Sequence, residues 1–253
     1  MTKSRLMICV GFLVAAICIG GCQSHNYVTP GGGADIASLT TTSLTEADIQ
    51  DVLDRKPASP FPVRLAIVRI QAPDYAVYNR QAYGRGRYTV LTTRETETED
   101  YIKQLEQLPM ITAVAPLNQI LIPDQLNSDK ELRLAAAKLH TDMLLVYTFN
   151  TTFRLKDHEV GPANVIMLGT LPNQEAVVTT TASCAIYDVR TGFTYGVAEA
   201  TASEKQMTSL WVSDKATDEL RVKTEQKSLA KLLDEIALTW NGIIGEYALQ
   251  DGK

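Results

Sequence analysis

Cys22 follows Ile19-Gly20-Gly21, and that position offers its thiol to chemistry for which no other cysteine of the chain is placed. Lys3 and Arg5 form a short basic start, Leu6 to Ile19 is an apolar run, and two glycines lead to the thiol. A charged start, a short apolar stretch and a small-residue exit describe a secretory signal peptide over residues 1–21. The run falls short of the about 20 apolar residues that a spanning helix needs. Cys18 is not equivalent, because Ile17 before it is too large for a processing site. Cys9 and Cys18 leave with the leader, so Cys184 is the remaining free thiol and an intramolecular disulfide is not expected. Its strand context marks it as a small buried hydrophobe rather than a reactive group.

The other chemically capable side chains read as structural. His25, His140 and His158 are the three histidines. His140-Thr-Asp142 is the nearest approach to an acid–base or metal pair, but a helix C-terminus favours a cation, so His140 is read as an end-of-helix residue. Ser183-Cys184 falls in mid-strand, away from the turns and helix N-termini that activate nucleophiles. Asp188 opens the Arg190-Thr-Gly192 turn, where its carboxylate is expected to bind turn amides. The acidic run Glu95-Thr-Glu-Thr-Glu-Asp100 could be imagined around calcium, but it reads as a solvated helix start. The sequence has no G-x-S-x-G elbow, phosphate-binding glycine loop or H-E-x-x-H. No enzyme, metal site or cofactor is therefore expected.

Ile19-Gly20-Gly21-Cys22 resembles the lipobox of bacterial lipoproteins. The resemblance implies that the Cys22 thiol is diacylated, that the chain is cut before it, and that the new amine is acylated in turn. Two or three fatty chains anchor stably where one does not, so membrane lipid is the first expected partner. Gln23 stands where an aspartate would signal inner-membrane retention, which implies the outer membrane, facing the periplasm, in a Gram-negative cell. Loss of Lys3 and Arg5 leaves 22 basic against 29 acidic residues, a net charge of −7 in place of −5. That balance disfavours nucleic acid and electrostatic docking on anionic lipid.

These residues need elements to position them. Residues 22–60 have the composition of a flexible tether: Pro30-Gly-Gly-Gly33, a Ser/Thr cluster from Ser38 to Ser43, Pro57 and Pro60. As a coil such a stretch spans about 35 Å. A short helix near Thr45 to Arg55 fits the spacing of Ile49, Val52 and Leu53. Residues 61–253 are expected to form a single domain large enough for its own core.

Val63–Ile70 reads as a covered central strand, Glu95–Leu108 as a helix broken by Pro109, and Ile111–Leu117 as a second strand. Ser128 with Glu131 three residues later predicts the capped start of a helix that reaches His140. Met143–Phe153, Val177–Val189 and Phe193–Ser203 read as three long antiparallel strands, with Ala182, Cys184 and Ile186 on one face. A helix from about Asp214 closes the chain, with an apolar stripe from Leu229 to Tyr247 behind a polar first half. The expected fold class is α/β (α+β): a mixed sheet with a C-terminal three-strand antiparallel part, helices packed on it, and a long C-terminal amphipathic helix.

Ala135–Tyr147, Cys184–Gly192 and the closing helix together resemble the envelope lipoprotein domains of CsgG, LpoB and the amino-terminal part of TolB. The Asp188–Gly196 hairpin is also similar to rhombotarget lipoproteins, although the chain lacks their glycine-rich, apolar sorting tail. The first resemblance implies an envelope binding protein or, alternatively, a self-assembling secretion or channel subunit.

Two stretches are candidate partner contacts. Val165, Ile166, Met167 and Leu168 lie between Gly161-Pro162 and Gly169, and such a run either fills the core or forms an exposed contact loop. Tyr78, Tyr83 and Arg85 belong to a Tyr- and Arg-rich stretch of the kind enriched at interfaces; the alternative is a solvated loop with some tyrosines folded inward. The expected function is a lipid-anchored, non-enzymatic envelope protein that binds another envelope protein.

Overall fold

The computed structural model describes residues 31–40, 45–75, 82–92, 96–97, 99–157, 174–208 and 214–248. In chain order its elements are α1 (Glu46–Asp54), β1 (Val63–Gln71), β2 (Ala82–Tyr83), β3 (Arg85–Gly86), β4 (Thr89–Leu91), α2 (Glu99–Glu106), β5 (Ile111–Pro116), β6 (Gln125–Leu126), α3 (Asp129–Lys138), β7 (Met143–Asp157), β8 (Gln174–Asp188), β9 (Thr194–Thr208) and α4 (Asp214–Ile243). The main sheet runs β2-β4-β1-β7-β8-β9, with β5 also beside β1. β1 is parallel to β5 and β7, whereas β7, β8 and β9 are successive antiparallel neighbours. This is the mixed sheet with a three-strand antiparallel part and a long closing helix that the pattern predicts.

β1 and the first half of β7 are buried on both faces, which is why their sequences are continuous apolar runs rather than alternating ones. On one face Val63, Leu65, Ile67, Met143, Leu145, Cys184 and Ile186 pack against Leu229, Leu232, Ile236 and Trp240 of α4 and Leu105 of α2. On the other, Ala66, Val68, Ile70, Leu144 and Val146 pack against Leu132, Ala135 and Ala136 of α3. α3 starts as its sequence predicts: Ser128 and Glu131 form a reciprocal capping box. His140 adopts the left-handed conformation just past the helix end, at φ 53°.

The Asp188–Gly192 turn closes β8 onto β9. Asp188 Oδ1 accepts from the N–H groups of Arg190 and Thr191, at 2.8 and 3.0 Å. Gly192 has φ +71°, and a Cβ there would lie 3.1 Å from the Arg133 guanidinium. The positive φ favours glycine there.

Within the stretch expected to be a flexible tether, some of the described residues touch the domain. Gly33 bridges to Gln71, Ala34 N–H donates to Thr148 Oγ1 at 2.8 Å, and Leu39 is buried. α1 forms where its spacing predicts, with a Thr45/Asp48 capping box, but Ile49, Val52 and Leu53 stay exposed. The expected helix from Glu95 begins instead at Glu99 and ends at Glu106.

Candidate functional site

β1 changes partners along one edge. Up to Ile67 it pairs with β5, Ile67 opposite Pro116; from Arg69 it pairs with β4, Arg69 opposite Leu91. The two neighbours part at Val68, and Leu117 N–H closes onto the Ile67 carbonyl at 2.9 Å. The gap is a cleft of about 100 Å³. Leu91 and Thr92 line one side, Pro116, Leu117 and Asn118 the other, and Tyr101 and Ile102 come from α2. Ile67, Val68, Arg69, Glu97 and Tyr147 complete its lining.

Alternation explains how a charge comes to lie here. Val63, Leu65, Ile67 and Arg69 fall on one face of β1, so the face that is apolar at its start becomes cationic at its end. α4 crosses that face with matching polarity. Its second half is apolar, and its first half buries Arg221, Thr224, Glu225 and Ser228. Arg69 lies 3.4 Å from Glu225 and 3.7 Å from Glu97, donates to Tyr75 Oη at 3.0 Å, and stacks 4.5 Å from the centre of the Phe149 ring. Glu225 also accepts from Arg221 at 2.8 Å, Thr96 at 3.1 Å and Thr151 at 3.2 Å. Burial works against the charge on Arg69, but Tyr75, Glu225 and Glu97 outweigh it and hold the guanidinium above its ordinary pKa.

At the cleft, Tyr147 Oη donates to Glu97 Oε1 at 2.6 Å. Burial, reinforced by Glu97, pushes the Tyr101 and Tyr147 phenols well above their ordinary pKa, so both stay protonated. Among the described residues, two buried side-chain polar atoms have no hydrogen-bond partner: Glu97 Oε2 and Tyr101 Oη. Glu97, Tyr101 and Tyr147 all line this small recess with partly apolar walls.

The residues picked out from sequence lie elsewhere or outside the described residues. Cys22, Tyr78, Val165, Ile166, Met167 and Leu168 are outside them. Of Tyr83 only the backbone, in β2, is described. Arg85 is exposed in β3, which pairs with β6. Tyr75 and Tyr88 of the same Tyr-rich stretch are buried, and Tyr88 Oη donates to the Ser128 carbonyl at 2.6 Å.

Cys184 is buried, and burial pushes its thiol up to about 12. Asp188 Oδ2 is taken up by Ala58 N–H, Ser59 Oγ and Tyr195 Oη. Glu97 corrects the reading of its acidic run as a solvated helix start: it is a buried partner of Arg69 and Tyr147. Sequence reasoning passed over Arg69, Glu97, Tyr101 and Glu225. One signal was available, a lone arginine inside the apolar run Leu65–Ile70. Among the described residues no group of three or more His, Cys, Asp or Glu could hold a metal, and no helix is long and apolar enough to cross a membrane.

No protein-family model and no curated protein matches the chain. Two solved structures align with much of it. A minor lipoprotein of Acinetobacter baumannii shares 11% identity over 69% of this chain and 90% of its own, with a TM-score of 0.34. A Xanthomonas campestris protein of family DUF330 shares 12% over 74% of this chain and 92% of its own, also at 0.34. Neither is described as a member of the CsgG, LpoB or TolB group. Likenesses this distant carry no statement about what the chain does.

Proposed function

We propose that the chain is a lipid-anchored protein of the bacterial cell envelope whose domain binds another envelope component without catalysing a reaction on it. The observation that carries this is the Ile19-Gly20-Gly21-Cys22 box directly behind a short apolar run. The fold supports the reading. Gly33 is pinned to Gln71, so the span between anchor and domain is ten residues, and its extended reach is about 37 Å. The domain is thus held close to the bilayer at the end where β1 finishes. β7 and β8 continue beyond that end to the pair Asp157 and Gln174, where residues 158–173 leave and return. With Gln23 after the cysteine, the outer membrane facing the periplasm is the proposed address.

The test is processing and capture. Mass spectrometry of the mature protein is expected to find acylated Cys22 as the first residue, and Cys22→Ala is expected to leave the leader attached. Crosslinking in the native envelope is then expected to recover one envelope protein that Ile166→Ser/Leu168→Ser loses without a fall in melting temperature. An unmodified mature terminus elsewhere overturns the anchor, and a large fall in melting temperature overturns the contact role. A second reading, self-assembly, is favoured by β9, a 15-residue strand at the end of the sheet order whose outer edge pairs with no other strand among the described residues. Light scattering separates the two readings: a monomer excludes self-assembly, and a closed oligomer supports it.

A further inference from the structure

We propose that the outer edge of β9 pairs antiparallel with β9 of a second copy of this chain, about a two-fold axis at Ala202. This deepens the self-assembly reading and rests on it, because it names the residues that meet. Along β9, Val197, Glu199, Thr201, Ser203, Lys205 and Met207 form an exposed row. Ala198, Ala200, Ala202 and Glu204 between them lie on the opposite face, under α4. Val197 is 68% exposed and Met207 54%, so a large apolar side chain stands in solvent at either end of the row. A long edge strand of this kind is a template for another strand.

Alternation and charge select the register. Directly opposed residues of an antiparallel pair share a face, so the exposed rows must meet each other. Across a two-fold axis at Ala202, Glu199 meets Lys205, Val197 meets Met207 and Thr201 meets Ser203, each contact made twice by symmetry. With the axis at Thr201 instead, Val197 opposes Lys205 and Glu199 opposes Ser203; with the axis at Ser203, Glu199 opposes Met207 and Thr201 opposes Lys205. A lysine ordinarily guards an edge strand, and here it meets a carboxylate of the row in this register alone. Within the chain, Glu199 accepts from Ser183 and Lys205 lies 3.4 Å from Glu175, both on β8, so the new contacts fall on the other side of β9. The Thr201 carbonyl accepts from the exposed Lys231 ammonium at 3.0 Å, a bond that a backbone N–H of the second copy would replace. The anchors are compatible with the pairing. Ala34 N–H donates to Thr148 Oγ1, and the ladder aligns Thr148 through Ser183 with Glu199 of the exposed row. Both copies therefore present Gly33 on one face of the paired sheet, where the ten-residue span from each Cys22 can reach a single bilayer.

The test is sedimentation equilibrium of the full-length protein in detergent. The wild type is expected to dimerise. Glu199→Lys and Lys205→Glu are each expected to weaken the dimer about tenfold, because like charges then face each other twice. The double variant, and an equal mixture of the two single variants, are expected to return to within about threefold of wild type, since opposite charges meet again. Both side chains are exposed, so the variants are expected to keep the wild-type melting temperature. Should a charge variant fail to fold, Val197→Lys removes the contact to Met207 without touching either charge and is expected to weaken the dimer in its place. A monomeric wild type overturns this pairing and the self-assembly reading together. An oligomer that these substitutions leave unchanged, or that the double variant and the mixture do not restore, overturns this pairing and leaves self-assembly through another surface.

Discussion

A thiol and a carboxylate in this chain have chemical roles set by their surroundings rather than by their type. Cys184 lies among Ala182, Ile186 and the underside of α4, where a thiolate would lack solvation, and its pKa rises to about 12. Its inertness follows. Iodoacetamide at pH 8 is expected to leave Cys184 unlabelled in the native protein and to label it fully in guanidinium, as read by intact mass; rapid native labelling would contradict the burial. Glu97 shows the converse. Its neighbours in sequence are polar and acidic, yet it is drawn inward because Arg69 and Tyr147 supply the charge and the hydrogen bond that a buried carboxylate requires.

The turn after β8 and the helix α4 are the elements whose sequences carry the plainest physical instruction. Asp188 joins the turn, the segment at Ala58 and Ser59, and Tyr195 through five hydrogen bonds. Burial raises its pKa, but the bonds from Thr191, Ala58, Ser59 and Tyr195 outweigh burial and leave it below its ordinary value. A depressed carboxylate stabilises the fold above its unfolded pKa of about 4 and loses that contribution as pH falls through the lower folded value. Asp188→Asn is therefore expected to cost about 2–3 kcal/mol at pH 7. In urea unfolding the difference from wild type should shrink at pH 3 and below; a constant difference would show that the charge is irrelevant. In α4, Trp240 is fully buried, and its indole N–H donates to the Pro109 carbonyl at 2.8 Å. Trp240→Ala is expected to cost about 3–5 kcal/mol, and a loss near 1 kcal/mol would mean that the stripe is not core.

At the scale of the whole molecule, the sheet is held by an apolar core on both faces and by one ionic knot at the end of β1. Arg69, Glu97, Glu225 and Arg221 come from a strand, the segment before α2, and α4, so the knot fixes how α4 lies across the sheet. Arg69→Met is expected to destabilise by about 3–5 kcal/mol, because two buried carboxylates would lose their common cation. Combined with Glu225→Met, part of that loss should be recovered in a double-mutant cycle; strict additivity would show that the pair is not coupled.

Local chemistry was enough to place α3, the β8–β9 turn and the long strands in advance, because caps, turn amides and two-residue alternation act between residues close in the chain. Ser128 and Glu131 cap α3, Asp188 binds the amides that follow it, and Ala182, Cys184 and Ile186 share a buried face as their alternation requires. Two other outcomes were decided only by tertiary structure. One polar face of the first half of α4, Arg221, Thr224, Glu225 and Ser228, is buried rather than solvated, because the sheet face it covers turns polar at Arg69, Thr151 and Thr180. The cleft exists because β4 and β5, separated by some 20 residues, share one edge of β1 and part at Val68. Neither fact has a local cause. Each depends on which strands meet, and a residue's own neighbours in sequence carry no record of that.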